Sequence, residues 1–138
     1  MRVVLDTNVL VSAMLTPGGP AHQVLQLILR GDVTLCLDAR ISAEYHDVLT
    51  RGQFRFPRGD VEQLLTAVRE DAQEILAAPV PGRFPDEDDR VFAEVAVAAS
   101  AAALITGNTR HFRAAEALTI RVMTPAEFLR WWRRQPRA

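Results

Sequence analysis

Lysine is missing from this sequence, in which all sixteen basic residues are arginine. A phosphate-binding loop of the P-loop type needs a lysine before Ser or Thr, and a Schiff-base enzyme needs an amine side chain. A phosphorelay receiver has similar acids at its strand ends, but it also relies on a lysine after a late strand. The absence of lysine therefore excludes these three mechanisms in their usual forms.

Cysteine and long apolar runs are also scarce. Cys36 is the only cysteine, and it lies in the apolar segment 33–37, so we interpret it as a small core side chain rather than a catalytic thiol. No stretch approaches the roughly 18 apolar residues of a membrane span. The first residues lead directly into a predicted strand, which argues against a signal peptide. These features predict a cytoplasmic protein with no membrane partner.

Composition predicts one domain over residues 1–138, because 49% of the chain is apolar and this is enough for one sizeable core. The net charge of −1 means that the molecule as a whole does not attract nucleic acid. The charges are unevenly distributed, however. Acids cluster at residues 86–89, and arginines cluster at Arg130, Arg133, Arg134 and Arg137.

Short apolar segments alternate with segments of helical periodicity along the chain. The predicted strands are 2–5, 33–37, 75–76, 102–105 and 120–122. The predicted helices are 7–15, 21–30, one capped by Asp38, one from Asp60 to about 72, one from Asp86 to about 100, and one that opens with a capping box at Thr124–Glu127. This alternation predicts an α/β fold with three layers, in which helices cover both faces of a mainly parallel sheet.

Oxygen-bearing side chains lie at strand ends or helix starts in four segments. Asp6 ends the first apolar strand, at the edge of an open α/β sheet where ligands bind. The other three are Glu44, Asp86 to Asp89, and Thr106 to Asn108. Carboxylates brought together would raise one another's pKa unless they held a cation. Hard cations such as Mg²⁺ and Mn²⁺ prefer oxygen ligands, whereas the Cys/His spacing of a zinc site is absent.

Each of these segments also has a purely structural interpretation. Asp6 could cap the helix that follows it, and Glu44 could be a solvated helix residue. The acids at 86–89 are typical of a helix N-terminus, and residues 106–108 could form an ordinary turn. Spacing and periodicity alone do not establish that the four segments converge.

Five segments of the chain follow one another in a characteristic order. They are 5–13 (Leu-Asp-Thr-Asn-Val-Leu-Val-Ser-Ala), 44–51 (Glu-Tyr-His-Asp-Val-Leu-Thr-Arg), 85–92 (Pro-Asp-Glu-Asp-Asp-Arg-Val-Phe), 104–112 (Leu-Ile-Thr-Gly-Asn-Thr-Arg-His-Phe) and 124–129 (Thr-Pro-Ala-Glu-Phe-Leu). In this order they resemble the motifs of PIN-domain ribonucleases, and within these the VapC-like toxins of toxin–antitoxin pairs. The resemblance covers nearly the whole chain and implies a PIN-like fold.

The resemblance implies an endoribonuclease that depends on Mg²⁺ or Mn²⁺. Asp6, Glu44 and Asp89 would be the catalytic carboxylates and the metal ligands. Supporting positions would be Asn8, Asp86, Asp88, Thr106 and Asn108. Asn8 and Thr106 would make polar contacts to metal-site water, to phosphate or to a neighbouring ligand. Arg110 would contact RNA, as would His111, although a surface histidine without a catalytic role is the simpler interpretation.

Asn108 departs from the pattern that the resemblance suggests, because many members of the family have Asp there. The amide keeps a carbonyl oxygen but has no charge. The site would then bind a second metal more weakly than the first, which leaves the number of metals open. The resemblance further implies an RNA substrate, a cognate antitoxin protein and a homodimer.

Two other functions stay compatible with the residues themselves. A catalytically weak or inactive PIN-fold module could bind RNA or a partner protein while its acids only cap helices. A phosphohydrolase acting on small molecules is the second, although the chain has no Asp-x-Asp motif after its first strand.

Overall fold

Over residues 1–136, which the computed structural model describes, five strands form one sheet in the order β3-β2-β1-β4-β5. They are β1 (Arg2–Leu5), β2 (Thr34–Leu37), β3 (Gln73–Glu74), β4 (Ala103–Ile105) and β5 (Val122–Met123). Every strand pair is parallel, so the predicted α/β class with a mainly parallel sheet is confirmed. The central strands β1 and β4 are almost entirely buried, as parallel strands covered on both faces must be.

In the described part of the chain, seven α-helices lie between the strands or after the last one, and those between the strands form the crossovers. They are α1 (Thr7–Leu15), α2 (Pro20–Leu29), α3 (Ala39–Leu49), α4 (Arg58–Glu70), α5 (Arg90–Ala98), α6 (Arg113–Ala117) and α7 (Pro125–Arg133). The first two crossovers lead one way across the sheet and the third leads back, so the right-handed rule puts their helices on opposite faces. In residues 1–136, no helix is long and apolar enough to cross a membrane.

Three predicted boundaries are wrong. Helix α4 begins at Arg58 with Pro57 as its N-cap, whereas Asp60 lies inside the first turn and donates its N–H to the Pro57 carbonyl. Strand β3 is 73–74 rather than 75–76, because it is residues 73 and 74 that pair with the end of β2. Strand β5 is 122–123 rather than 120–122.

The segments after Asp86 and after Asn108 differ from the prediction as well. Asp86 caps a 3-10 turn at Glu87–Asp89, and the α-helix starts only at Arg90 and ends at Ala98. A 3-10 turn at Thr109–Phe112 and the short helix α6 were not predicted. By contrast, Asp38 caps α3 and the Thr124 capping box opens α7, as predicted. Arg137, the last member of the predicted arginine cluster, lies outside the described residues.

Arg40 joins helix α3 to helix α5. Its guanidinium donates to the Glu94 carboxylate at 2.7 Å and forms a second ion pair with Asp38 at 2.8 Å. The Glu94 side chain is only 7% exposed, so Arg40 supplies the countercharge of a nearly buried carboxylate. Helix α3 carries Glu44, and α5 directly follows Asp89. The two ion pairs of Arg40 therefore also help to fix the distance between these two candidate site residues.

We expect Arg40→Ala to lower the free energy of unfolding by about 2–3 kcal/mol, because the buried Glu94 carboxylate loses its countercharge. The control is Arg51→Ala, which removes an exposed ion pair with Asp47 and should change stability by less than about 0.5 kcal/mol. Urea denaturation of both variants makes the comparison. Equal losses in the two variants would contradict a structural role for the Arg40–Glu94 pair.

Candidate active site

Asp6 and Thr106 lie side by side where the central strands β1 and β4 end. Leu5 is in register with Ile105, and the next residue, Asp6, donates its N–H to the Ile105 carbonyl at 2.9 Å. The Thr106 hydroxyl donates to the Asp6 carboxylate at 2.7 Å. The strand order reverses at this point of the sheet, which is where open α/β folds form a crevice for ligands.

The Asp6 carboxylate does not act as a helix cap. Asp6 occupies the N-cap position of α1, yet its side chain makes no capping hydrogen bond. The residue is 7% exposed, and its carboxylate faces Thr106 instead. The structural interpretation of Asp6 as a simple cap therefore does not describe this side chain.

Helix α3 brings Glu44 to the same edge of the sheet. The fully buried Tyr45 donates its hydroxyl to the Leu5 carbonyl at 2.7 Å, which ties α3 to the end of β1. The neighbouring Glu44 carboxylate accepts a short hydrogen bond from the hydroxyl of Thr7. Glu44 is thus half-buried and held by the first residue of α1, rather than being a freely solvated helix residue.

Asp89 closes the 3-10 turn that leads into α5. Its carboxylate is paired with Nδ1 of His111 at 3.2 Å, and its side chain is 14% exposed. Asp86 and Asp88 are more exposed, and the Asp86 side chain accepts the Asp88 N–H at 3.0 Å. Asp86 therefore has the capping role that its position suggested, whereas Asp89 faces inward.

The carboxylates of Asp6, Glu44 and Asp89 are close enough to affect one another's ionisation. The pKa of Asp6 is raised from 3.8 to about 6, mainly by burial and also by the charge of Asp89, although the Thr106 hydrogen bond opposes this shift. Burial also raises the pKa of Glu44, and the charges of Asp6, Asp88 and Asp86 add to this effect.

The pKa of Asp89 shifts in the same direction. Burial is the main cause, the charges of Asp86 and Glu44 contribute, and His111 opposes the shift. Each of the three carboxylates thus has at least one hydrogen-bond donor beside it and other acids around it. A cation bound between such acids would stabilise their ionised forms.

The donor set fits a hydrated hard cation. Within residues 1–136, no group of three or more His, Cys, Asp or Glu side chains is arranged so closely that it could hold a metal ion directly. The three acids offer carboxylate oxygens only, which suits Mg²⁺ or Mn²⁺, and Mg²⁺ in particular keeps several of its water ligands.

The other predicted site residues lie around this group. The Asn8 side-chain carbonyl accepts the Gly107 N–H at 3.1 Å and so braces the turn after β4. The Asn108 N–H donates to the Thr106 hydroxyl at 3.0 Å. Arg110 is exposed. The His111 side chain contacts Asp89, and the sequence analysis did not predict this pair.

Thr7 and Tyr45 are site residues that the sequence analysis missed. Each hydrogen-bonds across more than 35 positions of the chain, so no local pattern indicates its partner. One signal was present: Tyr45 directly follows Glu44 and shares the buried face of α3, which places a phenol oxygen next to the end of a strand.

The fold and this edge define an α/β protein with acidic side chains at the carboxyl ends of its parallel strands. Comparison with known proteins specifies the family. The model of the PIN domain family matches residues 2–110, and the chain belongs to that family. No curated protein matches the chain significantly.

Two solved structures are similar to this one. The crystal structure of FitAcB from Neisseria gonorrhoeae has a chain with 26% identity and a TM-score of 0.60, covering 90% of this chain and 98% of its own. The crystal structure of VapBC2 from Rickettsia felis, bound to a DNA fragment from the VapBC2 promoter, has a chain with 17% identity and a TM-score of 0.57. The latter match covers 88% of this chain and 97% of that chain.

We expect Asp6→Asn to stabilise the protein at pH 7.5 without divalent cations, by about 2 kcal/mol. The folded-state pKa of Asp6, about 6, lies above its ordinary value of 3.8. Between these values the folded state holds a proton that the unfolded state has released, so stability falls as the pH rises. The Asn side chain still accepts the Thr106 hydrogen bond but cannot ionise, so the variant does not lose stability in this way as the pH rises.

Thermal unfolding from pH 4 to pH 8 measures the effect. The gain in the Asn variant should shrink as the pH falls towards 4. The exposed Asp32 supplies the control, Asp32→Asn, which should show no such pH-dependent gain. An Asp6→Asn variant with the pH dependence of the wild type would contradict the account of Asp6.

Proposed function

We propose that this protein is a metal-dependent endoribonuclease and the toxin of a toxin–antitoxin pair. The observation that carries the proposal is the meeting of three buried or half-buried acids from separate elements. Asp6 follows β1, Glu44 lies on α3 and Asp89 precedes α5, and the ionisation of each is linked to that of another. Membership of the PIN domain family supports a nuclease.

Asp6, Glu44 and Asp89 would hold Mg²⁺ or Mn²⁺ in this proposal. When bound, such a cation supplies charge neutralisation and polarisation of the scissile phosphodiester. The chain's own contribution is to hold the carboxylates in place before the substrate arrives. The hydroxyls of Thr106 and Thr7 orient Asp6 and Glu44, respectively.

Two further contacts complete the positioning of the proposed site. His111 orients the Asp89 carboxylate. Tyr45 fixes α3 to β1 and so sets the distance between Glu44 and Asp6. Burial raises the pKa of the Tyr45 phenol well above 10, so this group stays a neutral donor at any pH that the fold tolerates.

The proposed partners are an RNA substrate, a cognate antitoxin and a second copy of the chain. The antitoxin is suggested by the likeness to chains in the structures of FitAcB and VapBC2. The exposed Arg110, which follows the turn after β4, would contribute to phosphate binding on one side of the acids. RNA as the substrate would place the activity in the cytoplasm.

We expect the purified protein to cleave single-stranded RNA in Mg²⁺ or Mn²⁺ and to lose this activity in EDTA. Asp6→Asn and Asp89→Asn should each lower the cleavage rate by about 100-fold or more, because each removes a charged ligand. Glu44→Gln should lower it as well. Labelled RNA separated on denaturing gels gives the rates.

Asp32→Asn is the matched control. It should cleave at the wild-type rate because Asp32 is exposed and precedes β2, at the opposite edge of the parallel sheet from Asp6. RNA that is bound but never cut, with either cation, would contradict the nuclease and favour a non-catalytic PIN-fold module. Cleavage that persists in Asp6→Asn would also contradict the proposed ligand set.

We expect Asn108→Asp to tighten Mn²⁺ binding, because it adds a carboxylate next to the turn whose backbone already contacts Thr106. The difference should be about 10-fold, the scale of one added charge near a cation. Isothermal titration of Mn²⁺ into both proteins makes the comparison. Equal or weaker binding in the Asp variant would separate Asn108 from the metal site.

A further inference from the structure

The loop between α3 and α4 combines arginines with aromatic rings. Residues 51–58, which we call the basic loop, read Arg-Gly-Gln-Phe-Arg-Phe-Pro-Arg and contain no acid. The rings of Phe54 and Phe56 stack with centroids 5.5 Å apart and planes inclined by 10°. Both rings are half-buried, and Phe56 packs against the core, so it anchors the stack.

Two guanidinium groups of the basic loop are not neutralised within the described chain. Arg51 pairs with Asp47 at 3.1 Å. Arg55 and Arg58 are exposed, and their side chains have no hydrogen bond or ion pair to any residue between 1 and 136. The loop therefore presents unpaired positive charge beside an aromatic stack.

The backbone of Arg55 has a conformation that favours glycine. Its φ is 55°, in the left-handed region, which costs a non-glycine residue about 1 kcal/mol. The strain is local and serves no contact within the fold, since the side chain has no partner there. The Arg55 guanidinium therefore contributes no contact to the fold and is accessible to a ligand outside the chain.

Helix α3 connects the basic loop rigidly to the candidate site. Glu44 lies in the middle of α3, and Thr50 follows its last residue. At about 1.5 Å per residue, the basic loop begins at Arg51, about 10 Å along the helix axis from Glu44. A strand bound at the acids would thus meet the loop within a few nucleotides.

The acids of the candidate site themselves repel a polyanion. The whole chain has a net charge of −1, and residues 86–89 add four acids beside the crevice. Binding of a phosphodiester chain therefore needs cations outside the acidic group. Aromatic rings interleaved with arginines are suited to bases and phosphates of a single strand, because every base offers a π-face for stacking.

We propose that the basic loop binds single-stranded RNA, with a base stacked on Phe54 and phosphates paired with Arg55 and Arg58. This inference rests on the proposed nuclease function, for which it identifies a substrate-binding surface. A duplex fits less well, because the bases of a duplex are already stacked on each other.

The test measures binding rather than cleavage, in the Asp6→Asn background. Fluorescence anisotropy follows a labelled, unstructured single-stranded RNA of about 12 nucleotides. Phe54→Ala should weaken binding about 5- to 100-fold without changing its salt dependence, as loss of one stacked base predicts. Arg58→Ala should reduce the slope of log K against log salt by about 0.7.

Arg55→Gly separates binding from stability. It should leave the melting temperature unchanged or raise it, because glycine relieves the left-handed strain, while it weakens RNA binding and reduces the salt slope by about 0.7. Phe54→Leu checks the aromatic contribution with less risk to the packing of the loop. It should also weaken binding, since leucine has no π-face.

The controls lie away from the basic loop. Leu76 is 97% exposed, and Arg30 is an exposed residue at the end of α2, so Leu76→Ala and Arg30→Ala should bind RNA as the background does. Equal RNA affinity in the loop variants and the controls would overturn this inference and leave the nuclease proposal intact. An Asp6→Asn background that binds no RNA at all would overturn both. Loop variants that bind RNA normally but bind the antitoxin more weakly would show that the loop binds protein, and this result would also overturn the inference.

Discussion

The pairing of β1 with β4 is the constraint on which the rest of the site depends. Their parallel register places Leu5 opposite Ile105, so the two residues that follow must lie next to each other at the edge of the sheet. One of them, Asp6, carries a carboxylate that is nearly buried, and the other, Thr106, supplies the hydroxyl that compensates for part of its lost hydration. A slip of one residue in this register would move the carboxylate to the wrong face of the strand and leave it without a partner.

The second layer of the structure carries the remaining acids to that edge. Tyr45 ties α3 to the last carbonyl of β1, and Arg40 ties α3 to α5. In each contact a polar side chain of α3 is bound to a buried or half-buried group of another element. The distances between the acids therefore follow from the packing of the fold. In this arrangement burial, and to a smaller extent the charges of neighbouring acids, raise the pKa of all three carboxylates. Sites that keep such strain in a stable fold are commonly functional ones.

Much of this fold could be predicted from the sequence, because apolar strands such as 2–5 and caps such as Asp38 and Thr124 are local signals. The errors arose where tertiary pairing decides the structure. Strand β3 contains only Gln73 and Glu74, which have no apolar pattern, and it exists because the end of β2 offers partners. The site shows the same division. Asp6 could be singled out from its place after a strand, whereas the donors to the acids, among them Thr7 and His111, come from distant segments that only the fold brings close.

The central claim is that Asp6, Glu44 and Asp89 together form one cation site. Anomalous diffraction from crystals grown with Mn²⁺ tests it most directly, because it locates the ion without any assumption about activity. The account predicts a peak about 2.0–2.3 Å from carboxylate oxygens of Asp6 and Asp89, with Glu44 bound through a water molecule. A peak elsewhere on the molecule, or none when these side chains are ordered and Mn²⁺ is in excess, would contradict it.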